Sequence, residues 1–383
     1  MKLARVEIRN FRNHGYTVLE AAEGVNAILG NNGAGKTNII EAVSYLCLTK
    51  SFYASGDAVV LQVGKDEFEI QGQFVGDKHF RWSINARYET TAGRKSVTIN
   101  SSPVETLASV IGQFPVVVLS PEQSGITFRA PTERRKFLDL VISQSSRLYL
   151  EQLLDFRRVL RQRNRVLLQA RLARRDCSGA LEPWDESLLQ TGPSLVHRRN
   201  KFIQEFLPYF VSTYGQLAGD REKPTIAYVP SIPGSDLEDI ESIRERFRLE
   251  LGLHGEEERR MGTTVVGPHR DELEFQVNEL NLRKFASQGQ HKTFLIALKL
   301  AEFAYLRECC QETPILLLDD IFSELDEGRT RRLLELMEPL GQIFITATDE
   351  RIFPQGFDWS GKNRRIFVKQ GEVVDAERAV YAE

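Results

Sequence analysis

The sequence predicts an α/β protein built from its two ends, with a mainly helical lobe inserted between them. Short apolar runs typical of buried strands occur near both ends, at Val25–Leu29 and Ile315–Leu318. The middle of the chain is highly charged, and its apolar residues recur with helical spacing. We therefore assign residues 1–120 and 262–383 to an α/β head and residues 121–261 to the inserted helical lobe.

The individual elements follow from the same patterns. Ala4, Val6 and Ile8 alternate with charged residues, which indicates a half-buried strand. Further strands are predicted at residues 25–29, 68–74, 80–84, 97–100, 116–119, 315–318, 343–345 and 365–374. Helices are predicted from residue 131 and over residues 147–175, 184–214, 236–260 and 291–306. Residues 219–236 are rich in proline, glycine and polar residues, which predicts a connecting loop.

The composition excludes several classes of protein. The chain has 383 residues, 42% hydrophobic and 27% charged, which is an ordinary balance for a globular protein. Because the formal net charge is -3, any nucleic-acid binding must come from a local patch. The four cysteines lack C-x-x-C spacing, which argues against a zinc ribbon or a disulfide framework. No apolar stretch reaches membrane-spanning length and no leader segment is evident, so we expect a cytosolic protein without membrane contact.

A glycine-rich motif follows the first buried strand and precedes a stretch with helical spacing. It fits the phosphate-loop pattern G-x-x-x-x-G-K-[ST] and comprises Gly30, Asn31, Asn32, Gly33, Ala34, Gly35, Lys36 and Thr37. Glycines let the backbone N–H groups surround a phosphate at the start of a helix. In such a loop Lys36 would reach the β- and γ-phosphates, and Thr37 would bind Mg²⁺.

Two acidic residues follow the buried strand Ile315–Leu318. Ligands of parallel α/β sheets bind at the carboxyl ends of the strands, where Asp319 and Asp320 stand. Beside a phosphate loop, Asp319 would hold Mg²⁺ and Asp320 would orient the attacking water. The alternative is a plain strand end with solvated acids, but the phosphate loop favours a catalytic set of Lys36, Asp319 and Asp320.

A polar turn precedes the predicted helix at residues 291–306. It consists of Ser287, Gln288, Gly289 and Gln290. Serine is a favoured helix N-cap, and a turn of this kind can also bind an anion at the helix start. Taken alone, the turn is expected to be a helix cap.

The inserted lobe carries a strong local excess of positive charge. Between residues 126 and 175, thirteen Lys or Arg residues stand against four acidic ones. Such a run forms either a solvated helix face or a surface that contacts phosphates. The candidates for DNA contact on the helix predicted at 147–175 are Arg157, Arg158, Arg161 and Arg165.

Taken together, the motifs resemble a known family. The phosphate loop, the 287–290 turn, the acid pair and residues 323–326 occur in the order of the Walker A, signature, Walker B and D-loop motifs of ABC-type ATPases. Finer strings resemble the RecF family of bacterial recombination mediators, which is related to the heads of SMC and Rad50 proteins. These strings lie at residues 10–13, 36–42, 133–139 and 267–271.

The resemblance implies an ABC-type P-loop ATPase head with a weak, DNA-stimulated ATPase activity. ATP with Mg²⁺ would bind the phosphate loop of one chain and be covered by the 287–290 turn of a second chain. The resulting homodimer would clamp double-stranded or gapped DNA. With RecR and RecO it would help to load the RecA recombinase during DNA replication, repair and the SOS response, in the cytoplasm at the nucleoid.

Some positions depart from the family pattern, and two other functions stay open. Ala286 stands where a leucine is usual, and residues 346–349 lack the switch histidine of many ABC ATPases, so slow hydrolysis is expected. Gln123 is a candidate for the Q-loop glutamine, and His269 is expected to be structural or close to a phosphate. The alternatives are the nucleotide-binding subunit of an ABC transporter and an SMC-like structural ATPase head. The basic helices argue against the first, and an insertion too short for coiled-coil arms argues against the second.

Overall fold

The computed structural model of the chain describes residues 1–219, 221–322 and 327–374, and it divides the chain into two compact units. The first, which we call the head, is Met1–Gln123 with Lys299–Glu383, and the second, the helical unit, is Ser124–Leu298. The predicted α/β fold with a helical insertion is confirmed. The structural division falls after Leu298 rather than near residue 262, and the assignment of residues 262–298 to the head stays a prediction. The proposed D-loop at residues 323–326 lies outside the described residues.

The elements are numbered in chain order over the described residues. The strands are β1 (Lys2–Phe11), β2 (His14–Glu20), β3 (Val25–Leu29), β4 (Glu67–Val75), β5 (Arg81–Glu89), β6 (Arg94–Ile99), β7 (Ser102–Pro103), β8 (Val116–Leu119), β9 (Pro224–Val229), β10 (Glu272–Val277), β11 (Leu280–Asn281), β12 (Ile315–Leu318), β13 (Ile343–Ala347), β14 (Arg364–Lys369) and β15 (Glu372–Val374). The α-helices are α1 (Lys36–Leu48), α2 (Gly125–Phe128), α3 (Pro131–Ser145), α4 (Arg147–Ala173), α5 (Ser178–Ala218), α6 (Ile240–Leu253), α7 (Gly255–Met261), α8 (Leu282–Phe285), α9 (Gln288–Cys310) and α10 (Glu327–Met337).

A mainly parallel sheet positions the candidate site of the head. Its strand order is β15-β14-β3-β13-β12-β8, in which only the β14–β15 pair is antiparallel. Every residue of β3 and β12 is buried, as their continuous apolar runs predict. Because β13 pairs with both β3 and β12, the carboxyl ends of these three strands meet at one edge of the sheet.

A second sheet of the head is antiparallel, with strand order β2-β1-β4-β5-β6-β7. Its strand β4 alternates buried and exposed residues, which is the pattern of a sheet with one face in the core. Phe11 and Phe68 of this sheet meet Tyr45 of α1 edge-to-face, with ring centroids 6.0 and 5.5 Å from that of Tyr45. This aromatic contact packs α1 against the antiparallel sheet.

The helical unit is dominated by α4 and α5, and it corrects one sequence prediction. The predicted loop at residues 219–236 contains strand β9, which pairs with β10 in a three-stranded antiparallel sheet. Ile226 and Tyr228 of β9 alternate inward, but the proline and glycine around them hid this pattern. The helices predicted over 147–175 and 236–260 are confirmed as α4 and as α6 with α7. No helix in the described part of the chain is both long and apolar enough to span a membrane.

Candidate nucleotide-binding site

The phosphate loop connects β3 to α1 through backbone that only glycine adopts easily. Gly30 and Gly35 have φ angles of 154° and 111°. A Cβ on Gly30 would lie 2.3 Å from the carbonyl oxygen of Val368, and one on Gly35 would lie 2.6 Å from Asn13 Oδ1. Side chains are therefore excluded at both ends of the loop. The crest at residues 31–33 is exposed, so its backbone is accessible to a ligand.

Helix α1 begins at Lys36 with donors directed toward the loop. The Lys36 ammonium donates to the carbonyl oxygens of Gly30 and Asn31 at 2.7 and 2.9 Å. No side chain caps the start of α1 among the described residues, which leaves its first N–H groups for an anion. Burial lowers the pKa of Lys36, while the negative charges of Asp320 and Asp319 oppose that shift.

The acid after β12 lies beside the phosphate loop. Thr37 Oγ1 donates to Asp319 Oδ1 at 2.8 Å, across 282 residues of sequence. Thr346 Oγ1 donates to the same oxygen at 2.7 Å, and the Tyr53 hydroxyl donates to Asp319 Oδ2 at 2.6 Å. Burial and the charge of Asp319 raise the pKa of Tyr53, so its hydroxyl stays protonated. We call these four side chains the Asp319 cluster.

The neighbouring acid is placed by the same threonine. Asp320 has a left-handed φ of 48° and is exposed, and its backbone N–H donates to Thr346 Oγ1 at 2.9 Å. The structure thus brings Lys36, Asp319 and Asp320 together, as the motifs predict. In the sequence Thr346 is distinguished only by standing in the segment that lacks the switch histidine. Its position follows from β13 lying between β3 and β12, which no local pattern shows.

The phosphate loop is braced by residues from both ends of the chain. Asn13 Nδ2 donates to the Ala34 carbonyl oxygen at 3.2 Å, and the Gly371 N–H donates to the same oxygen at 2.8 Å. His14 Nε2 lies 3.0 Å from the carbonyl oxygen of Gly35. Burial lowers the pKa of His14, which favours its neutral form. In the sequence the 10–13 string is recognisable only as a resemblance, because these contacts are long-range.

A further oxygen ligand is available near this edge of the sheet. Gln123 lies shortly after β8, and its Oε1 atom is buried without a hydrogen-bond partner in the described part of the chain. Hydroxyl, carboxylate and amide oxygens are the ligands that Mg²⁺ accepts in proteins. Thr37, Asp319 and Gln123 therefore carry oxygens of the chemistry that this ion accepts.

The 287–290 turn belongs to the helical unit and caps α9. The Ser287 hydroxyl accepts from the Gln290 N–H at 3.2 Å, and the Ser287 N–H donates to Gln290 Oε1 at 2.9 Å. This reciprocal pair is a capping box. Gln290 Nε2 also donates to Glu222 at 2.9 Å. Ser287 and Gln288 are exposed, so a partner could reach the start of α9.

The candidate DNA-contacting arginines form an exposed row on α4. Arg157 and Arg158 pair with Asp139 and Asp155 at 2.8 and 3.0 Å. Of these four, Arg161 and Arg165 form no ion pair or hydrogen bond with any other described residue.

The basic run does not present all of its charge to solvent. Arg163 is buried and pairs with Asp185 and Glu258, and Arg134 is buried and pairs with Glu272. The surface charge is therefore lower than the sequence count indicates. The inward positions are separated from the outward ones by the helical periodicity of α4, on which Arg163 shares a face with buried Leu167.

A second buried polar group holds the 267–271 string in the helical unit. Arg199 donates to Asp139 at 2.7 Å and to Asp271 at 2.9 Å. The hydroxyl of Tyr149 donates to Asp139 at 2.6 Å, and that of Tyr228 donates to Asp271. The two carboxylates raise the pKa of Arg199 against the effect of its burial. We call these five side chains the Arg199 cluster.

His269 of the 267–271 string, expected to be structural or close to a phosphate, is hydrogen-bonded within the helical unit. Its Nε2 lies 3.1 Å from the Thr264 carbonyl oxygen, which places the proton on Nε2. Burial, reinforced by the charge of Arg270, lowers the pKa of His269 to about 4. The ring is therefore neutral near pH 7, and His269 belongs to the helical unit.

A phosphate loop after β3 and paired acids after β12, in a parallel sheet built from both ends of the chain, define an ATPase head of the ABC type. The family model described as the RecF/RecN/SMC N-terminal domain matches residues 2–373. The DNA replication and repair protein RecF of Chloroherpeton thalassium is 40% identical over 362 residues, which cover 93% of this chain and 97% of that protein. The protein of the same name from Salinibacter ruber is 39% identical over 351 residues, covering 91% and 85%. The chain belongs to the RecF family.

Solved structures agree with this assignment. A structure of the recombination mediator protein RecF with ATP, described as part of the RecFOR pathway, superimposes with a TM-score of 0.89 at 29% identity. The match covers 97% of this chain and 96% of that one. An SMC head bound to the C-terminal winged-helix domain of ScpA gives a TM-score of 0.56 at 14% identity over 99% of this chain, which indicates a shared fold.

Proposed function

We propose that this chain is an ATP-dependent DNA-binding protein of recombinational repair, in which ATP drives two chains together around DNA. The observation that carries the proposal is the 2.8 Å contact between Thr37 of the phosphate loop and Asp319 after β12. Two motifs from opposite ends of the sequence meet there with the chemistry of a Mg²⁺–nucleotide site. The names of the relatives supply the biological setting.

The nucleotide roles are assigned to residues of the head. The loop N–H groups and Lys36 hold the phosphates, and Mg²⁺ is held by Thr37 and Asp319, with Gln123 as a further oxygen ligand. Asp320, exposed beside Lys36, orients the attacking water. Slow hydrolysis is expected because Thr346, which is engaged with both acids, offers no imidazole to accept a proton.

The 287–290 turn is assigned to the nucleotide of a second chain. Its exposed serine and the N-terminus of α9 form a second phosphate-suited helix start. The γ-phosphate of ATP is shared by two helix starts only when two chains meet, so ATP favours the dimer by its differential affinity for that state. Hydrolysis removes the bridging charge and releases the dimer.

DNA and protein partners complete the proposal. Exposed arginines of α4, above all Arg161 and Arg165, contact DNA phosphates without reading sequence, so binding should weaken with salt. By analogy with the RecFOR pathway of the solved relative, RecR and RecO act with the dimer at gapped DNA to help load RecA. This activity belongs in the cytoplasm, at the nucleoid.

Mixing two inactive variants tests the shared site. Lys36→Met removes a phosphate ligand, and Ser287→Glu places a negative charge where the partner's γ-phosphate should lie. With ATP and Mg²⁺, neither variant alone should dimerise. An equal mixture should form heterodimers, because one of their two composite sites is intact. Fluorescence energy transfer between differently labelled chains measures this.

Two outcomes would contradict the shared site. In the first, the Ser287→Glu chain alone dimerises with ATP as the wild type does. In the second, both variants are folded but the mixture shows no energy transfer. Ser187→Glu is the control, because it adds the same charge at another serine, on α5, whose hydroxyl donates to the Pro183 carbonyl oxygen. It should dimerise normally.

Asp320→Asn tests the hydrolytic role. The amide keeps the size of the side chain but cannot polarise water as a carboxylate does, so ATP binding should persist while turnover falls at least tenfold. The dimer should then outlast that of the wild type after excess ATP is removed. Hydrolysis at the wild-type rate would show that Asp320 does not orient the water.

A further inference from the structure

A tyrosine contacts the Walker B acid, although no motif assigns it a role. The Tyr53 hydroxyl donates to Asp319 Oδ2 at 2.6 Å, and its side chain is half-buried. The other oxygen, Oδ1, takes both threonine hydroxyls, from Thr37 and Thr346. In the described part of the chain, Tyr53 is the donor that reaches Oδ2.

The position of Tyr53 is fixed by the turn that follows α1. Ser51 Oγ accepts the backbone N–H groups of Tyr53 and Ala54 at 2.9 and 2.7 Å. The Phe52 ring packs against the Tyr53 ring with centroids 4.4 Å apart. The Ser51 hydroxyl donates to Glu41, so the turn is tied to α1. Tyr53 is thus held by both its backbone and its ring.

Glu41 connects this turn to the helix that carries the metal-binding threonine. It is buried, and Arg12 donates to both of its carboxylate oxygens at 2.8 Å. Thr37 and Glu41 are four residues apart on α1, so they lie on the same face of the helix. The contacts that run from Arg12 through Glu41 to Ser51 therefore hold Tyr53 in a fixed position relative to Thr37.

The geometry explains what the phenol adds to Asp319. Two hydroxyls on Oδ1 hold one end of the carboxylate but leave its plane free to turn about that end. A third donor on Oδ2 fixes the plane as well. Partners of this kind orient metal-binding groups, and their loss typically lowers metal affinity or activity about 10- to 100-fold.

Resting on the nucleotide and metal roles proposed above, we propose that Tyr53 is a positioning residue that fixes the Asp319 carboxylate for a Mg²⁺-bound nucleotide. If Tyr53 has this role, its loss should reduce the gain in nucleotide affinity that Mg²⁺ provides. The phosphate loop itself should still bind nucleotide. The role is separate from water activation, because Asp320 is held through its backbone by Thr346 and not by Tyr53.

The test compares nucleotide affinity with and without metal. The dissociation constant of a fluorescent ATP analogue is measured in EDTA and in Mg²⁺, and the ratio of the two gives the gain that the metal provides. Tyr53→Phe should lower that ratio about tenfold and leave the affinity in EDTA unchanged. A ratio equal to or above that of the wild type would overturn the inference.

A matched control is available on α1. The Tyr45 hydroxyl donates to Asp57 Oδ1 at 2.7 Å, which is the same kind of phenol–carboxylate bond. Tyr45→Phe should keep the wild-type ratio, and an equal fall in both variants would overturn the positioning role. Ser51→Ala, which loosens the turn but keeps the phenol, should lower the ratio by less than Tyr53→Phe does. Absence of nucleotide binding in the wild type would instead overturn the proposed function, and this inference with it.

Discussion

Asp319 of the head and Arg199 of the helical unit are both buried charged residues, but the clusters around them are built differently. In the first, one carboxylate accepts from three neutral hydroxyls. In the second, a buried guanidinium pairs with two carboxylates, and tyrosines complete the bonding. Neutral hydroxyls can rotate away from a carboxylate, so that a metal ion or its waters take their place. The charges of a buried ion pair cannot separate without leaving one of them buried and unpaired. The first arrangement suits a site that changes during a reaction cycle, and the second suits a permanent structural junction.

The largest effect is expected from a substitution that breaks the Arg199 cluster. Arg199→Ala leaves Asp139 and Asp271 without their buried cation, which should lower the unfolding free energy of the helical unit by about 3–5 kcal/mol. Denaturant unfolding measures this. Arg157→Ala is the control, because it removes a different arginine from the same Asp139. Arg157 is 47% exposed and Arg199 only 2%. The control should therefore cost about 1 kcal/mol or less, and equal losses in the two variants would contradict the account.

His269, in the string that the Arg199 cluster holds, should make the stability of the chain depend on pH. The pKa of His269 is about 4 in the folded chain, below its ordinary value of 6.5. The unfolded chain therefore binds more protons, and stability should fall as the pH drops from 6.5 toward 4. At about 1.36 kcal/mol per pH unit, the loss from this residue between pH 6.5 and 5 is about 2 kcal/mol.

His269→Gln should remove that contribution while an amide remains to donate to the Thr264 carbonyl oxygen. Unfolding free energies measured at pH 7 and at pH 5 should differ less in this variant than in the wild type. Parallel pH profiles for the two proteins would show that protonation of His269 is not resisted by its surroundings.

The smallest effect on stability is expected at the exposed face of α4. Arg161→Gln combined with Arg165→Gln removes charges that no other described residue pairs, so unfolding should change by less than about 0.5 kcal/mol. The slope of log K for DNA binding against log salt concentration should instead become shallower by about 0.9 for each phosphate contact removed. Arg147→Gln is the control, because Arg147 is 70% exposed on the same helix but pairs with Glu151. If the double variant keeps the wild-type salt slope, the two arginines form a solvated face and do not contact DNA.

The parts of the fold and of the site that depend on local pattern can be predicted from the sequence. The phosphate loop and the acid pair each follow a continuous apolar strand, so their residues could be named before the fold was known. Thr346, Tyr53 and His14 carry no such pattern, because they reach the site only through strand order and a turn after α1. The burial of Arg163, one of the residues of the positive run, could not be seen in the sequence either, because its partner Glu258 is remote in sequence.

The central claim is that ATP joins two chains into a DNA-holding dimer, and light scattering tests it most directly. The mass of the chain in solution is measured with ADP and with ATP plus Mg²⁺, each with and without a short DNA duplex. The account predicts a monomer with ADP and a dimer with ATP that retains the duplex. A monomer under every condition would contradict it, because the 287–290 turn would then have no nucleotide of a second chain to bind.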